Sequence, residues 1–198
     1  AGAAIGVATA TKYTAGAMLV TLLAAAALRV RDDRGQLKAA LVGLVVAGAA
    51  FVAAFAILNP FAILHPGEAR SQLSGQSAQA ATAKLGQKDE PGWWYYLTSL
   101  TWGLGWAPLV AAIAGAVVML RRDWRLAVLL IAFPLVLWLY MGGQARHFGR
   151  WLMPIYPALC VLAGIAAAAL VDRVRWRPAV LTGLLAVVLC VQGVAASV

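Results

Sequence analysis

Charge is scarce in this chain. Of 198 residues only 12% are charged, and acids number just seven against 16 Lys and Arg. Soluble domains carry about 25% charged residues, so a globular water-soluble fold is excluded. Metal-ligand motifs are missing too. There are two histidines, His65 and His147, in different loops, and no HExxH, CxxC or DxD. No metal site is assigned, no cofactor is identifiable, and dependence on a divalent metal is left open. Neither a Walker loop nor a GxGxxG ahead of a helix is present. No nucleophile–base pair emerges from spacing, so no catalytic residue is assigned. The two cysteines, Cys160 and Cys190, sit inside apolar runs, where cysteine is ordinarily a packing residue. An N-terminal charged region with a small-residue cleavage site is also lacking, so no signal peptide is read. The chain opens inside an apolar run and not on Met, and it reads as the C-terminal part of a longer transmembrane domain spanning 1–198.

What is present is apolar. Hydrophobic residues make up 63% of the chain, in long uncharged runs that suit helices crossing a hydrocarbon core of about 30 Å. The runs do not alternate, which excludes a β-barrel. The expected fold is an all-α integral membrane protein, a polytopic bundle of about six helices. The spans are drawn at 13–28 (or beginning upstream of Lys12), 39–58, 98–120, 126–141, 152–171 and 179–198. Pro108 and Pro134 fall inside the third and fourth spans and are expected to kink or interrupt them. The partners are membrane lipids. The net charge of +9 implies no nucleic acid, because the topology rule for basic loops explains most of it.

Basic residues set the orientation. One set of alternate loops holds Arg29, Arg31, Arg34, Lys38, Arg121, Arg122, Arg125, Arg173, Arg175 and Arg177, ten of the 16 cations. Short loops rich in Lys and Arg face the cytoplasm. Loops 29–38, 121–125 and 172–178 are therefore expected to be cytoplasmic, and loops 59–97 and 142–151 extracytoplasmic, in a multi-pass protein of the plasma membrane. Trp124 and Trp176 then flank the inner boundary. Trp93, Trp94, Tyr95, Tyr96, Tyr140 and Trp151 flank the outer one.

The long outer loop opens on NPFAILHPGE, where Asn59-Pro60 stops a helix. Residues 68–86 are rich in Ala and Gln and suit a solvated or weakly interfacial helix. The run Trp93-Trp94-Tyr95-Tyr96 reads as an interfacial anchor just ahead of the third span, with sugar stacking as the alternative role.

One stretch remains unexplained by lipid alone: GGQARHFGRWLMPIYP, residues 142–157. It sets Arg146, His147 and Arg150 between two spans, followed by Tyr156. Arg146 and Arg150 are four apart and share a face if the segment is helical. A guanidinium fork suits bidentate phosphate binding. Lys12, followed by Tyr13, stands at the outer end of the first span, where an ammonium needs a partner or a route to the interface. Lys12, Arg146 and Arg150 are thus candidates for holding a lipid-linked phosphate. Tyr13, His147, Trp93, Trp94 and Tyr156 are secondary candidates beside them. Each has a plainer alternative. Lys12 can snorkel, the arginines can meet headgroups or the acids Asp89 and Glu90, and His147 can be a polar loop residue.

The segments AIGVATATKYTAG (4–16), NPFAILHPGE (59–68) with WWYYLTSLTWGLG (93–105), and RHFGRWLMPIYPALCVLAG (146–164) together carry a family likeness. In that order and spacing, the chain resembles the C-terminal part of membrane glycosyltransferases of the GT-C superfamily. The branch it looks most like holds the dolichyl-phosphate-mannose protein mannosyltransferases and aminoarabinose transferases. The resemblance implies transfer of a sugar from a polyprenyl-phosphate donor to a protein, lipid or glycan acceptor on the extracytoplasmic face. It also implies an acidic catalytic base in the first outer loop, for which this sequence offers no counterpart. Glu68, Asp89 and Glu90 do not match it. WWYY lacks the acid of the oligosaccharyltransferase WWD motif, so that branch is not assigned. A transporter or flippase, and a non-catalytic scaffold subunit, are the rival readings.

Overall fold

The computed structural model describes residues 1–87, 90–173, 182, 183, 186 and 187. Among these, the protein is helical and contains no strand. Nine α-helices follow in order: α1 Gly2–Thr11, α2 Leu19–Asp32, α3 Leu37–Leu58, α4 Pro60–Leu64, α5 Pro66–Ala80, α6 Gly92–Gly103, α7 Trp106–Arg122, α8 Trp124–Gly142 and α9 Tyr156–Arg173. Short 3₁₀ segments at Tyr13–Met18 and Gly149–Ile155 lead into α2 and α9. Among the described residues, four helical stretches are long and apolar enough to cross a membrane: Tyr13–Asp32, Arg34–Leu58, Trp124–Gly142 and Gly149–Arg173. Most of the expected sixth span, Cys190 included, and most of loop 172–178 lie outside the described residues.

The expected third span is not one helix. It is a pair, α6 and α7, bent by 112°. The break falls at Leu104-Gly105, where Gly105 takes φ 99°, a conformation that side chains rarely adopt. Because α6 begins at Gly92, the WWYY run lies on its first turns and not in the preceding loop. Pro108 causes no kink. It stands in the first turn of α7, where its missing N–H would have no helical partner anyway. Pro134 is accommodated within α8. The first expected span also divides, since α1 is a separate short helix that stops at Lys12.

Helix α8 is the hub. It packs on α2, α6 and α7 and on the 3₁₀ segment at Gly149–Ile155. The main buried cluster is Tyr96, Leu100, Leu104, Leu109, Phe133, Leu137, Met141, Leu152 and Ile155, lying where these elements converge. A second contact joins α7 to α9 through Ala112, Leu162 and Ala163. A Cβ on Gly115 would fall 1.8 Å from the Leu162 carbonyl, so only glycine lets these helices approach this closely.

Loops gather in two groups. Asp32 pairs with Arg125 at 2.7 Å, and Arg31 lies 4.5 Å over the Trp124 ring, so loops 29–38 and 121–125 are neighbours. At the other end of α2 and α8, Lys12, Tyr13, Asn59, the 80–87 segment and the 143–150 segment come together. The polar helix α5 has no buried residue, as its Ala/Gln composition leads one to expect.

Candidate functional site

The site is built where α1 stops and α8 ends. At Lys12 the backbone becomes extended, with φ −149° and ψ 115°. The Lys12 ammonium donates to the main-chain carbonyl of Arg150 at 3.2 Å. Burial pushes its pKa below the ordinary lysine value, and the Arg150 charge pushes the same way. Thr14, two residues on, keeps a buried hydroxyl with no hydrogen-bond partner among the described residues. The only ion pair among the described residues is Asp32–Arg125, at the far end. Lys12 and Arg150 are therefore two neighbouring cations with no carboxylate paired to either among the described residues.

Residues 143–148 are not helical, so Arg146 and Arg150 do not share a helix face. Arg146 turns toward the 80–87 segment. Its backbone N–H donates to Ala80 O at 3.0 Å and its Nε to Thr82 O at 3.1 Å. Arg150 is exposed, with its guanidinium carbon 5.2 Å from the Phe148 ring centroid. Lys84 approaches the same ring at 5.5 Å. Phe148 thus carries two cations, each within the range of a cation–π contact.

His147 is buried and fully engaged. Its Nδ1 lies 3.2 Å from Gln87 Nε2, and its Nε2 lies 3.0 Å from Gln144 O. The Gln87 amide donates to Nδ1, so Nε2 carries the proton given to the carbonyl. Gln87 also donates to Ala145 O at 2.7 Å and accepts from the His147 N–H at 3.1 Å. The ring stacks on Tyr95 at 5.1 Å. With both nitrogens occupied, this histidine ties two segments together and has no free position for proton transfer.

The aromatic run on α6 divides its duties. Trp93 and Trp94 are exposed and line none of the cavities nearby. The Trp93 indole lies across Gly142 and donates to Leu139 O at 3.3 Å, locking the end of α8. Tyr95 and Tyr96 face inward. Their hydroxyls accept from the Gly149 N–H at 3.1 Å and the Phe148 N–H at 3.3 Å. Tyr13 is drawn elsewhere, to the Asn59 side chain at 3.5 Å and the Phe55 ring.

Two adjoining cavities open here. One, of about 600 Å³, is bordered by Lys84, Gln87, Glu90, Tyr95, Thr98 and His147 among others. The other, of about 470 Å³, is bordered by Ser99, Arg150, Met153 and Tyr156. Tyr95, Trp102 and Phe148 border both and form the partition. A larger groove of about 870 Å³ runs between α7 and α9, walled mainly by Ala, Val and Leu, with Trp106 from the start of α7 and Arg121 and Arg173 from the last turns of the two helices.

The structure therefore joins Lys12 to Arg150, and places His147 and Tyr156 on the cavities. It directs Arg146, Tyr13, Trp93 and Trp94 to other contacts. Sequence reading missed Lys84, Gln87, Tyr95, Trp102 and Phe148. Part of the signal was available. Tyr95, Thr98, Ser99 and Trp102 recur at i, i+3, i+4 and i+7, one helical face, once α6 is known to begin at Gly92.

A helical membrane protein with uncancelled cations and aromatic rings at one end of its bundle is suited to an anionic amphiphile. Residues 89–198, over half the chain, match the model of the Alg9-like mannosyltransferase family, and the chain belongs to that family. It is accordingly a multi-pass membrane glycosyltransferase of the GT-C type that uses a lipid-linked donor. The match supports the superfamily and not the protein-mannosyltransferase branch that the sequence resembles. The transporter and scaffold readings fall with it. No curated protein and no solved structure matches the chain.

Proposed function

We propose that the protein moves a hexose, mannose by its family, from a polyprenyl-phosphate donor, and that Lys12 and Arg150 hold the donor phosphate. The observation that carries this reading is the 3.2 Å contact of the Lys12 ammonium with the Arg150 carbonyl. It brings two cations together with no acid among the described residues to neutralise them. An anion between them would relieve the repulsion and repay the partial dehydration of Lys12. Arg146, held four residues away on the same segment, adds to the positive field. The cavity beside Arg150 also offers Trp102, Met153 and Tyr156, apolar surfaces suited to the first isoprene units or the sugar.

The chemistry is a direct displacement with inversion. The acceptor oxygen forms its bond to the anomeric carbon while the bond from that carbon to the phosphate oxygen breaks. The electron pair leaves on the phosphate, and fixed cations stabilise the charge that develops there. The acceptor's proton passes to a general base, a role given to none of the residues gathered here.

The cleft is read as extracytoplasmic, in the plasma membrane. What supports this is the clustering of Arg29, Arg31, Arg34, Lys38, Arg121, Arg122 and Arg125 in short loops at the other end of the bundle.

The test is transfer from a labelled polyprenyl-phosphate mannose by the purified protein in liposomes. Replacing Arg150 by Ala is expected to lower the rate by about 10²–10³, the usual loss for one charge-stabilising contact. An unchanged rate from normally folded protein would overturn the assignment.

A further inference from the structure

We propose that the groove between α7 and α9 binds one anionic phospholipid of the surrounding bilayer, its phosphate on Arg121 and Arg173 and its acyl chains along the apolar wall. The site is separate from the Lys12–Arg150 contact and does not depend on the donor reading.

Three observations carry it. First, the two helices end together. A Cβ on Gly103, just ahead of α7, would meet the Tyr156 hydroxyl at the start of α9, and one on Gly115 would meet Leu162 and Ala166 midway along both. The helices therefore run side by side in one direction, and their last turns bring Arg121 and Arg173 to one mouth of the groove. Helix α7 ends in the 121–125 loop, at the end of the bundle opposite Lys12 and Arg150.

Second, the charge at that mouth is uncompensated. Both arginines are exposed, and neither has a hydrogen bond, ion pair or ring contact among the described residues. Asp123 is engaged in capping α8, where it accepts from the N–H groups of Arg125 and Leu126. Asp172 is exposed and does not border the groove. The sequence after Arg173 adds Arg175 and Arg177 and no acid. Two guanidiniums suit a phosphodiester, which each can grip through paired N–H donors.

Third, the wall has the character and length of lipid chains. Val110, Ala114, Val117, Ala166 and Leu170 line it, in a cavity of about 870 Å³. At 1.5 Å per residue, the α7 wall from Trp106 to Arg121 is about 22 Å long. One leaflet of a hydrocarbon core of about 30 Å gives an acyl chain about 15 Å. Chains anchored at the arginines therefore fit between that mouth and Trp106.

Charge decides the occupant. The chain's own apolar run 179–198 carries no acid, so seating it here would leave both arginines unpaired. A zwitterionic lipid brings a cation of its own to the same mouth. A donor phosphate held by Lys12 and Arg150 sits at the other end of the bundle. A topology signal needs basic charge but no groove.

The experiment uses the full chain in phosphatidylcholine nanodiscs doped with phosphatidylglycerol. Native mass spectrometry counts the retained lipid, and the Tm is followed against the phosphatidylglycerol fraction. Wild type should retain one phosphatidylglycerol in preference to phosphatidylcholine, and its Tm should rise saturably. Arg121→Gln or Arg173→Gln should weaken retention by about fivefold, and the double variant by about thirtyfold, as one and two basic residues at an anionic headgroup do. Arg34→Gln with Lys38→Gln, which removes two cations outside the groove, should leave retention in place. Ala114→Trp, which fills the wall and spares both arginines, should expel the lipid. Equal retention of the two lipids, an unshifted Arg121/Arg173 double variant, or an equal loss from the Arg34/Lys38 pair would overturn the proposal. Unchanged retention by Ala114→Trp would overturn it too, and so would displacement of the lipid by a short polyprenyl phosphate, which would make the groove a seat for the donor's tail. If Ala114→Trp does not fold, Ala167→Leu reads the facing wall by the same count.

Discussion

The ammonium of Lys12 reaches 138 residues along the chain to the carbonyl of Arg150, at 3.2 Å. The bond fixes the lysine beside a second cation, so neither charge acts alone. Lys12→Ala and Arg150→Ala should each lower donor turnover by about 10²–10³. The double variant should lose less than the product of the two, because neighbouring groups acting on one phosphate are not additive. Initial rates for the four proteins of the cycle check this. Strict multiplicativity would mean that the two cations serve separate purposes.

Lys12 should also make donor binding sensitive to alkali. Its folded pKa lies below 10.5, chiefly through burial and then through Arg150. The sign follows from linkage. A depressed lysine pKa costs stability when both states are charged, and that cost is relieved as pH rises from the folded value toward the unfolded one. Phosphate binding needs the charged form, so it is lost over that same alkaline range. The donor KM should therefore rise with pH below 10.5, while thermal stability rises slightly. Lys12→Arg, whose charge persists, should keep donor affinity to higher pH. Identical pH profiles for the two proteins would exclude Lys12 from the donor site.

Gln87 makes three contacts across to the 143–148 segment: Ala145 O, the His147 N–H and His147 Nδ1. Gln87→Ala should release the 80–87 segment and leave the buried His147 nitrogen unpaired, at about 1–3 kcal/mol. Trypsin should then cut faster after Lys84, which is already exposed. Limited proteolysis, read by mass, gives the answer. Unchanged cleavage would show that Arg146 alone suffices to hold the segment.

Two glycines should not tolerate a side chain. Gly105 at φ 99° would strain any other residue by about 1–3 kcal/mol. A Cβ on Gly115 meets the Leu162 carbonyl at 1.8 Å and must separate α7 from α9. Gly105→Val and Gly115→Val are both expected to lower the Tm in detergent. Gly105→Val should also disturb transfer, since α6 carries Tyr95 and Trp102. Gly43→Ala, where no atom lies within 4 Å, is the neutral control.

Helices were legible in the sequence because apolar length is enough to mark them. The span 39–58 starts two residues inside α3 and ends with it, and 126–141 falls two residues and one residue inside the ends of α8. The α6–α7 break was hidden, because the run 98–120 is apolar on both sides of Gly105 and one backbone angle decides the direction. Within the candidate site, Lys12 and Arg150 stood out because charge in apolar surroundings is conspicuous. Lys84 and Gln87 did not, since a polar residue in a polar loop carries no local signal. Their importance arises only when residues about 60 apart are brought together. The WWYY run misled in part. Four adjacent aromatics suggest one common role, but on a helix neighbours point about 100° apart. Two of them therefore face out, and two hold the backbone at Phe148 and Gly149.

The distance between Lys12 and Arg150 along the chain also sets a timetable. A ribosome adds about 5–20 residues per second, so Lys12 emerges roughly 7 to 28 s before the carbonyl that receives it. During that interval its ammonium has only water and lipid headgroups as partners. The Lys12–Arg150 contact is thus among the last features to form, and insertion of the early helices must succeed without it.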